Sequence, residues 1–252
     1  MEKKDVLLVT EPPCTKYLQR LADWGIYQDQ DIITFSTVNA TCCKAGGYVL
    51  EPWGHSPVLE KFCSNHNIQN TGPKSAIVKA VQNKCFLRQK EASVVHNWQQ
   101  LASWTASHLG PFILKEPFSV AGQGQLRFNH SNELKQSSLH FPQKLERLHK
   151  KSLEFSSHWT LLKDGRCTLK GVTITETTTR GSYCSSKIAT TSQIPRFNEH
   201  SALATTLLEK VAVQGFYGEI SLDGLVTANS VHYITEINAR KTLSSLLIKL
   251  QS

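Results

Sequence analysis

Residues 233–240, with the sequence YITEINAR, contain a pattern of side chains that could do chemistry. In an extended strand alternate side chains share one face, so Glu236, Asn238 and Arg240 point the same way. A carboxylate and an amide oxygen can bind a hard cation such as Mg2+, and a guanidinium beside them can bind phosphate. The solvated face of an edge strand is the alternative interpretation. A binding site would therefore need further binding residues elsewhere in the chain.

Candidates for these further binding residues lie upstream, where a lysine is followed by a loop of small residues. Residues 109–115, LGPFILK, predict a helix end and then a short buried strand that ends at Lys115. In the following loop, Gly122 and Gly124 would let backbone N–H groups approach phosphate oxygens, and Ser119 adds a hydroxyl donor. No Gly-Lys-Ser/Thr follows, so this is not a Walker loop, and no helix follows the glycines, so it is not a dinucleotide fingerprint. A plain glycine hairpin is the alternative.

Length and composition are those of a globular protein. The chain has 252 residues, 40% of them hydrophobic and 19% charged, which is enough for a sizeable core in one large domain or in two or three lobes. No apolar run approaches the length of a membrane span, and the first residues lack the apolar region of a signal peptide. The sequence therefore predicts a cytoplasmic protein with no membrane segment.

The net charge of +8 suits either a nucleic acid or a cleft for a triphosphate and an acidic substrate. The basic residues are spread along the chain, and the densest stretch, 144–151, has no interleaved aromatic residues on which bases could stack. This argues against a nucleic-acid partner. The seven cysteines show no C-x2-C pair and predict free thiols, and the ten histidines show no spacing typical of a transition-metal site.

Hydrophobic periodicity and turn residues predict a mixture of helices and strands. The predicted helices cover residues 15–23, 56–65, 72–84 with Lys84 near its end, 97–108 behind an Asn97 cap, 200–213 and 242–250. The predicted strands cover 5–10, 31–36, the short strand that ends at Lys115, 126–128, a hairpin of 153–163 with 166–178, 218–227 and 231–239. The first two strands and the helix between them form a βαβ-like opening.

The order of these motifs resembles the ATP-grasp superfamily, whose members bind ATP between two α+β lobes. The matching segments are 72–84, 112–115 with its glycine loop, 144–149, 215–223 and 236–240. The phrases PWG at 52–54, LGPFILK and EINAR are most similar to the short pre-ATP-grasp group, which includes peptide-ligase-like enzymes. The resemblance covers about residues 50–252.

The resemblance implies an α+β ATP-grasp fold in three parts. Residues 1–80 would form a short α/β pre-ATP-grasp lobe, shorter than the N-terminal domain of most ATP-grasp enzymes. Residues 81–145 would form the small lobe with its glycine lid. Residues 146–252 would form the C-terminal lobe with the metal site.

The resemblance also implies residue roles. ATP would be bound by Lys84, Lys115, Ser119, Gly122, Gln123, Gly124 and Glu146, the last at the hinge between the lobes. Mg2+, with Mn2+ as the alternative, would be held by Asp223, Glu236 and Asn238, and Arg240 would stabilise an anionic intermediate. Glu219 competes with Asp223 for the metal role. Glu154 and His158 either face the cleft or have a pairing role.

The implied activity is that of an ADP-forming, ATP-dependent carboxylate–amine ligase of the peptide type, which works through an acylphosphate. Its substrates would be a small-molecule carboxylate and an amine, with residues 42–55 and 180–194 as candidate walls of the acceptor pocket. Where relatives often have a basic residue in the lid, this chain has Gln123, which predicts a weaker grip on phosphate. An ATP-binding protein with little or no ligase activity is therefore the alternative, and an RNA-associated module rests on charge alone.

Overall fold

The computed structural model of this chain describes residues 6–9, 13–23, 31–34, 49–87, 91–119, 123–135, 138–178, 183–227 and 231–250. The chain divides into two compact units. The first consists of Met1–Glu51 with Val58–Thr71, and the second of Pro52–Pro57 with Gly72–Ser252. Within the described residues, no helix is long and apolar enough to cross a membrane.

The first unit contains two short parallel strand pairs. Strands β1 (Val6–Val9) and β2 (Asp31–Thr34) pair in parallel, with helix α1 (Thr15–Asp23) between them in the chain. This is the predicted βαβ-like opening, in which parallel strands require a crossover connection. Strands β3 (Val49–Leu50) and β4 (Gln69–Asn70) form the second pair, and helix α2 (Pro57–His66) connects them.

The second unit begins with a helix that is shorter than the sequence predicts. Helix α3 covers Ser75–Gln82, and Lys84 lies beyond it in a separate 3-10 turn, Lys84–Phe86. The Asn83 side chain accepts a hydrogen bond from the Cys85 N–H at 2.8 Å, so it caps the new turn and ends the helix. The prediction that Lys84 lies in the helix was therefore wrong, and Lys84 is buried.

A four-stranded antiparallel sheet follows, in the order β5 (Ala92–Val95), β8 (Gln143–Arg147), β6 (Phe112–Lys115) and β7 (Gln125–Phe128). Helix α4 (Trp98–Ser107) has the predicted cap, since the Asn97 side chain accepts a hydrogen bond from the Gln100 N–H at 2.9 Å. Leu101 of α4 packs with Phe112, Leu114 and Leu145 of the sheet. The opposite face of the same strands carries Ile113, Lys115, Lys144 and Glu146, because side chains alternate.

A five-stranded antiparallel sheet forms the rest of the unit, in the order β11 (Tyr183–Ala189), β10 (Cys167–Thr177), β9 (Lys151–Leu161), β12 (Gly218–Thr227) and β13 (Val231–Asn238). The predicted hairpin of β9 and β10 is confirmed. Helix α5 (Phe197–Val213) begins three residues before its predicted start, and its Leu208 packs with Trp159 and Leu222 in the core. Helix α6 (Leu243–Lys249) follows β13 behind a Thr242 cap.

Two histidines are buried within the larger sheet and its helix. His158 Nε2 lies 3.0 Å from Thr173 Oγ1, and His200 Nε2 lies 2.9 Å from Ser157 Oγ. Burial lowers the pKa of each imidazole to about 4. His158 therefore has the pairing role and is enclosed by protein, although it shares a strand face with residues closer to the cleft described below.

The buried histidines predict a loss of stability in mild acid. Because their folded pKa of about 4 lies below the ordinary 6.5, the unfolded chain binds more protons between these values. Each histidine thus leaves stability intact above pH 6.5 and lowers it progressively as the pH falls towards 4, by about 2 kcal/mol at pH 5. In urea unfolding at pH 7.5 and pH 5, His158→Gln should remove about this much of the difference between the two pH values.

The matched control is His140→Gln, which replaces an exposed histidine and should leave the difference unchanged. An equal pH dependence in the parent protein and in His158→Gln would contradict the assignment.

Candidate functional site

A cleft of about 890 Å3 lies in the second unit, and both of its sheets contribute to the walls. From the four-stranded sheet come Ile113, Lys115, Gln125, Arg127 and Glu146. From the five-stranded sheet and the residues after it come Glu154, Ser156, Ser221, Asp223, Glu236, Asn238 and Arg240. The cleft therefore brings the lysine that ends β6 and the E-x-N-x-R pattern of β13 to one cavity.

One wall carries a pair of facing carboxylates. Asp223 of β12 lies opposite Glu236 of β13 in the strand register. The Asp223 carboxylate accepts hydrogen bonds from Ser156 Oγ at 2.6 Å and from Asn238 Nδ2 at 2.9 Å. Burial, reinforced by the charge of Glu236, raises the pKa of Asp223 to about 6. A cation between these groups would relieve the part of this increase that comes from the charge of Glu236.

A bulge beside Asp223 contributes to this arrangement. The register of β12 with β13 shifts on both sides of Gly224, and bulges of this kind turn neighbouring side chains. A Cβ atom on Gly224 would lie 2.7 Å from the Phe155 ring, so only glycine fits where the strand crosses that ring. The packing of an aromatic ring thus fixes the backbone that presents Asp223.

Glu219, the competing candidate, lies elsewhere. It is four residues before Asp223 on β12, and its carboxylate pairs with Lys249 Nζ at 2.5 Å. Glu219 is not among the described residues that line the cleft. Of the two candidates, Asp223 is the one beside Glu236 and Asn238.

The residues present fit a magnesium ion. Asp223, Glu236 and Asn238 offer hard oxygen atoms, which is the chemistry Mg2+ requires. Within the described part of the chain no group of three or more His, Cys, Asp or Glu side chains could hold a metal. Two carboxylates and one amide would be a partial ligand set, as is usual for Mg2+ that binds together with phosphates.

Lys84 connects the loop after β6 to the wall of the cleft that carries Asp223 and Glu236. Its Nζ lies 3.3 Å from Glu236 Oε1 and donates to Ser119 Oγ at 2.6 Å and to the Ser119 carbonyl at 2.8 Å. The structure thus brings together three residues that the sequence analysis singled out separately. A cation bound at Glu236 would share that carboxylate with Lys84.

A second charged cluster lies on the face of the four-stranded sheet. Lys115 Nζ lies 2.5 Å from Glu146 Oε2, and Lys144 contacts the other oxygen of the same carboxylate. Burial opposes ionisation of Glu146, but Lys115 and Lys144 together hold its pKa below the usual value. Burial lowers the pKa of Lys144, and Lys115 lowers it further, while Glu146 opposes both.

Glu146 belongs to β8, so the sequence-based boundary between residues 145 and 146 falls inside a strand. Residues 148–150 connect β8 to β9 and so join the two sheets. The Leu148 N–H donates to the Pro111 carbonyl at 2.7 Å, which ties this connection to the start of β6. Glu146 thus lies next to the connection between the sheets, with its side chain in the lysine cluster.

Arg240 is connected to the Asp223 carboxylate through Asn238. Arg240 Nη2 donates to Asn238 Oδ1 at 3.3 Å, and Asn238 in turn donates to Asp223. The PWG phrase borders this residue, because the Lys241 N–H donates to the Trp53 carbonyl at 3.1 Å. Guanidinium, amide and carboxylate therefore form one hydrogen-bonded row along the cleft wall.

The glycine loop is described in part. Ser119 and Gln125 line the cleft, Gln123 and Gly124 form an exposed turn between them, and Gly122 lies outside the described residues. Gly124 has a φ of 63°, and a Cβ atom there would lie 2.7 Å from a Glu116 carboxylate oxygen. Glycine is therefore required at 124 by the shape of the turn.

Sequence reasoning missed two contributors to the site. The sequence analysis noted Lys144 only as part of a basic stretch. Its position two residues before Glu146 on a strand could have shown that the two side chains share a face. Ser156 gave no signal, because its contact with Asp223 joins neighbouring strands that are far apart in sequence. Glu154 does line the cleft, and it pairs with Lys151 at 2.8 Å.

Of the two predicted acceptor loops, the structure describes residues 49–55 and 183–194, and residues 183–189 of the second form strand β11 and not a loop. Tyr183, at the start of β11, lines the cleft, and Ser186 and Ser244 contact each other at 2.9 Å through their hydroxyl oxygens. Residues 42–48 and 180–182 lie outside the described residues.

Solved structures with the same fold are found at low sequence identity. A biotin carboxylase complex with β,γ-ATP from Campylobacter jejuni has a TM-score of 0.69 and 14% identity, and the match covers 97% of this chain and 67% of that one. The biotin carboxylase domain of Hydrogenobacter thermophilus 2-oxoglutarate carboxylase, with MgADP, ADP and bicarbonate, has a TM-score of 0.69, 14% identity, and 98% and 66% coverage. An ADP complex of N5-carboxyaminoimidazole ribonucleotide synthetase has a TM-score of 0.62, 17% identity, and 96% and 65% coverage.

No protein-family model matches the chain, and no curated protein is significantly similar to it in sequence. The chain spans about two thirds of the length of these three structures. The structural matches confirm the predicted α+β class and the ATP-grasp fold.

The hydrogen bond from Ser156 to Asp223 generates a prediction. Ser156→Ala should raise the pKa of Asp223 above its value of about 6, because the hydroxyl stabilises the ionised carboxylate. A hydrogen bond to a charged group contributes about 1.5 kcal/mol, so the acid dissociation constant should fall about tenfold. Carbon-detected NMR titration of the aspartate side chains measures this constant directly.

Ser221→Ala is the matched control, since Ser221 lies on the same wall of the cleft, two residues from Asp223 on the same strand. An unchanged Asp223 titration in Ser156→Ala would refute the role of this hydrogen bond.

Proposed function

We propose that this chain is an ATP-dependent carboxylate–amine ligase that forms ADP and works through an acylphosphate. One observation carries the proposal: a single cleft has Asp223, Glu236 and Asn238 on one wall and Lys115 on the other. The shared fold supports it, because the similar structures include complexes with ADP and with β,γ-ATP. The finer assignment to the peptide-ligase-like group rests on the sequence phrases alone.

Charge favours a triphosphate as the ligand of this cleft. ATP carries about four negative charges, and one lysine about 4 Å from one of them contributes roughly 4 kcal/mol at an effective dielectric constant near 20. A single lysine is therefore insufficient. Lys115 in the wall and Lys84 beside Ser119 are the cations that we assign to the phosphates, with the loop at Ser119 as part of the lid.

The metal site belongs to the same proposal. Mg2+, or Mn2+ as the alternative, would be held by Asp223, Glu236 and Asn238, and when bound it neutralises phosphate charge. The hydrogen bonds of Ser156 and Asn238 orient the Asp223 carboxylate for this role. Since the pKa of Asp223 is about 6, the carboxylate is mostly ionised at neutral pH.

The reaction that we propose has two steps. An oxygen of the substrate carboxylate attacks the γ-phosphorus, the new O–P bond forms as the bond to ADP breaks, and an acylphosphate results. An amine then attacks the acyl carbon, loses a proton, and displaces inorganic phosphate as the C–N bond forms. The protein contributes positioning and charge compensation, and Arg240, held by Asn238, is placed to stabilise the anionic intermediates.

A second candidate function is ATP binding with little or no ligase activity, in the cytoplasm as for the first. It is favoured by Gln123, which is neutral and exposed in the turn of the lid. ADP release distinguishes the two candidates: a ligase releases ADP faster when a small carboxylic acid and an amine are added together. A protein that binds ATP but shows no such acceleration over a broad panel of acids and amines has the second function.

Loss of one metal-binding carboxylate should abolish most turnover. Glu236→Gln removes a charged oxygen ligand and should lower Mg2+-dependent ADP release by about a hundredfold or more. Glu154→Gln is the matched control, because Glu154 lines the same cleft but pairs with Lys151. Normal ADP release by Glu236→Gln in the presence of Mg2+ would show that the metal assignment is wrong.

Lys115→Ala should weaken ATP binding as well as turnover. The variant removes one charge-assisted hydrogen bond to phosphate, so the dissociation constant measured by calorimetry should rise about tenfold or more. Glu146 keeps Lys144 as a partner in this variant, so the fold should remain intact. Lys135→Ala, at an exposed lysine, is the control, and equal ATP affinity in both variants would count against the proposal.

A further inference from the structure

Four charged side chains share the cleft face of the four-stranded sheet, and three of them, Lys115, Lys144 and Glu146, form one cluster of contacts. Lys115 of β6 and Lys144 of β8 are directly opposite each other in the register, and Glu146 is two residues further along β8. Like charges directly opposite each other destabilise a strand pair. Glu146 lies within contact of both lysines and compensates for this repulsion.

The two lysines differ in their access to the cleft. Lys115 lines the cavity, whereas Lys144 is 1% exposed and lies beneath the turn Lys84–Phe86. Lys144 is not among the described residues that line the cleft, and its contact with Glu146 is its ion pair in the described structure. A buried lysine is costly to keep, because burial disfavours its charged form.

Lys115 has two competing demands. In the structure its ammonium group is paired with Glu146 at 2.5 Å, but in the proposed function the same group binds phosphate. A buried carboxylate that loses its only cation is strongly destabilised. If Glu146 depended on Lys115 alone, binding of ATP would have to overcome this penalty.

We propose that Lys144 is a positioning residue that keeps Glu146 compensated, so that Lys115 can turn from Glu146 to the phosphates of ATP. Lys144 divides the attraction of the carboxylate between two cations and retains Glu146 after Lys115 has left it. The carboxylate then holds Lys115 at the cleft wall without binding it too tightly. This inference rests on the proposed function, because it takes Lys115 as a phosphate ligand.

The test is a double-mutant cycle on the full chain. The probe is a non-hydrolysable ATP analogue with Mg2+, and calorimetry measures its dissociation constant. Lys144→Met removes the charge and keeps an unbranched side chain, so Glu146 should hold Lys115 more strongly and the dissociation constant should rise about tenfold. In a Glu146→Gln background the same substitution should change it less than about twofold, because no carboxylate then competes for Lys115.

A merely structural role for Lys144 predicts a different result. Loss of packing would weaken binding by the same factor in both backgrounds, and that outcome overturns the proposal, as does an unchanged affinity in Lys144→Met. Lys135→Met, at an exposed lysine, is the matched control for loss of one positive charge. If Lys144→Met does not fold, as judged by thermal unfolding, Lys144→Gln provides the same test with a polar side chain.

Lys115→Ala separates failure of this inference from failure of the proposed function. Unchanged affinity in Lys115→Ala refutes the assignment of Lys115 to phosphate, and the proposed role of Lys144 fails with it. Weaker binding in Lys115→Ala with unchanged binding in Lys144→Met refutes the role of Lys144 alone. Weaker binding in both, relieved for Lys144→Met by Glu146→Gln, supports both proposals.

Discussion

Charge compensation inside the cleft is the constraint on which the arrangement of the site depends. Glu236 is paired with Lys84, Glu146 with Lys115 and Lys144, and the Asp223 carboxylate has a hydroxyl and an amide as donors. The Lys144–Glu146 pair lies within β8, and each of the other contacts joins different strands or a strand and a turn. A charge removed from water needs such partners, so the ion pairs fix how the two sheets present their charged faces to the cleft. A ligand that is itself highly charged would exchange one set of compensating contacts for another.

Much of the fold could be predicted from the sequence, because the signals that specify it are local. The period-two alternation in residues 233–240 placed Glu236, Asn238 and Arg240 on one face, and Glu236, Asn238 and Arg240 do line one cleft. The Asn97 cap and the hairpin of β9 and β10 were likewise readable from adjacent residues. The helix before Lys84 was predicted too long, since a side-chain cap by Asn83 outweighs continued periodicity.

The partners of the site residues could not be predicted, because they depend on which strands become neighbours. Lys115 and Glu146 meet only because β6 and β8 pair in one particular register. The sequence left open the choice between Glu219 and Asp223, because both lie on the same face of one predicted strand. Lys249, from the end of helix α6, pairs with Glu219, and the bulge at Gly224 lies beside Asp223. Both effects arise from tertiary contacts, which spacing in the sequence does not encode.

The contact between Gly224 and the Phe155 ring has a consequence for how sequence variation in this protein should be interpreted. Any larger residue at 224 would collide with an aromatic ring that belongs to a separate packing cluster around Phe197 and Val226. The resulting shift of backbone would reach the neighbouring carboxylate. In a mutational scan, position 224 would therefore tolerate substitution as poorly as a residue that takes part in the chemistry, although glycine has no functional group. Intolerance at such a position reports steric crowding transmitted through one peptide unit.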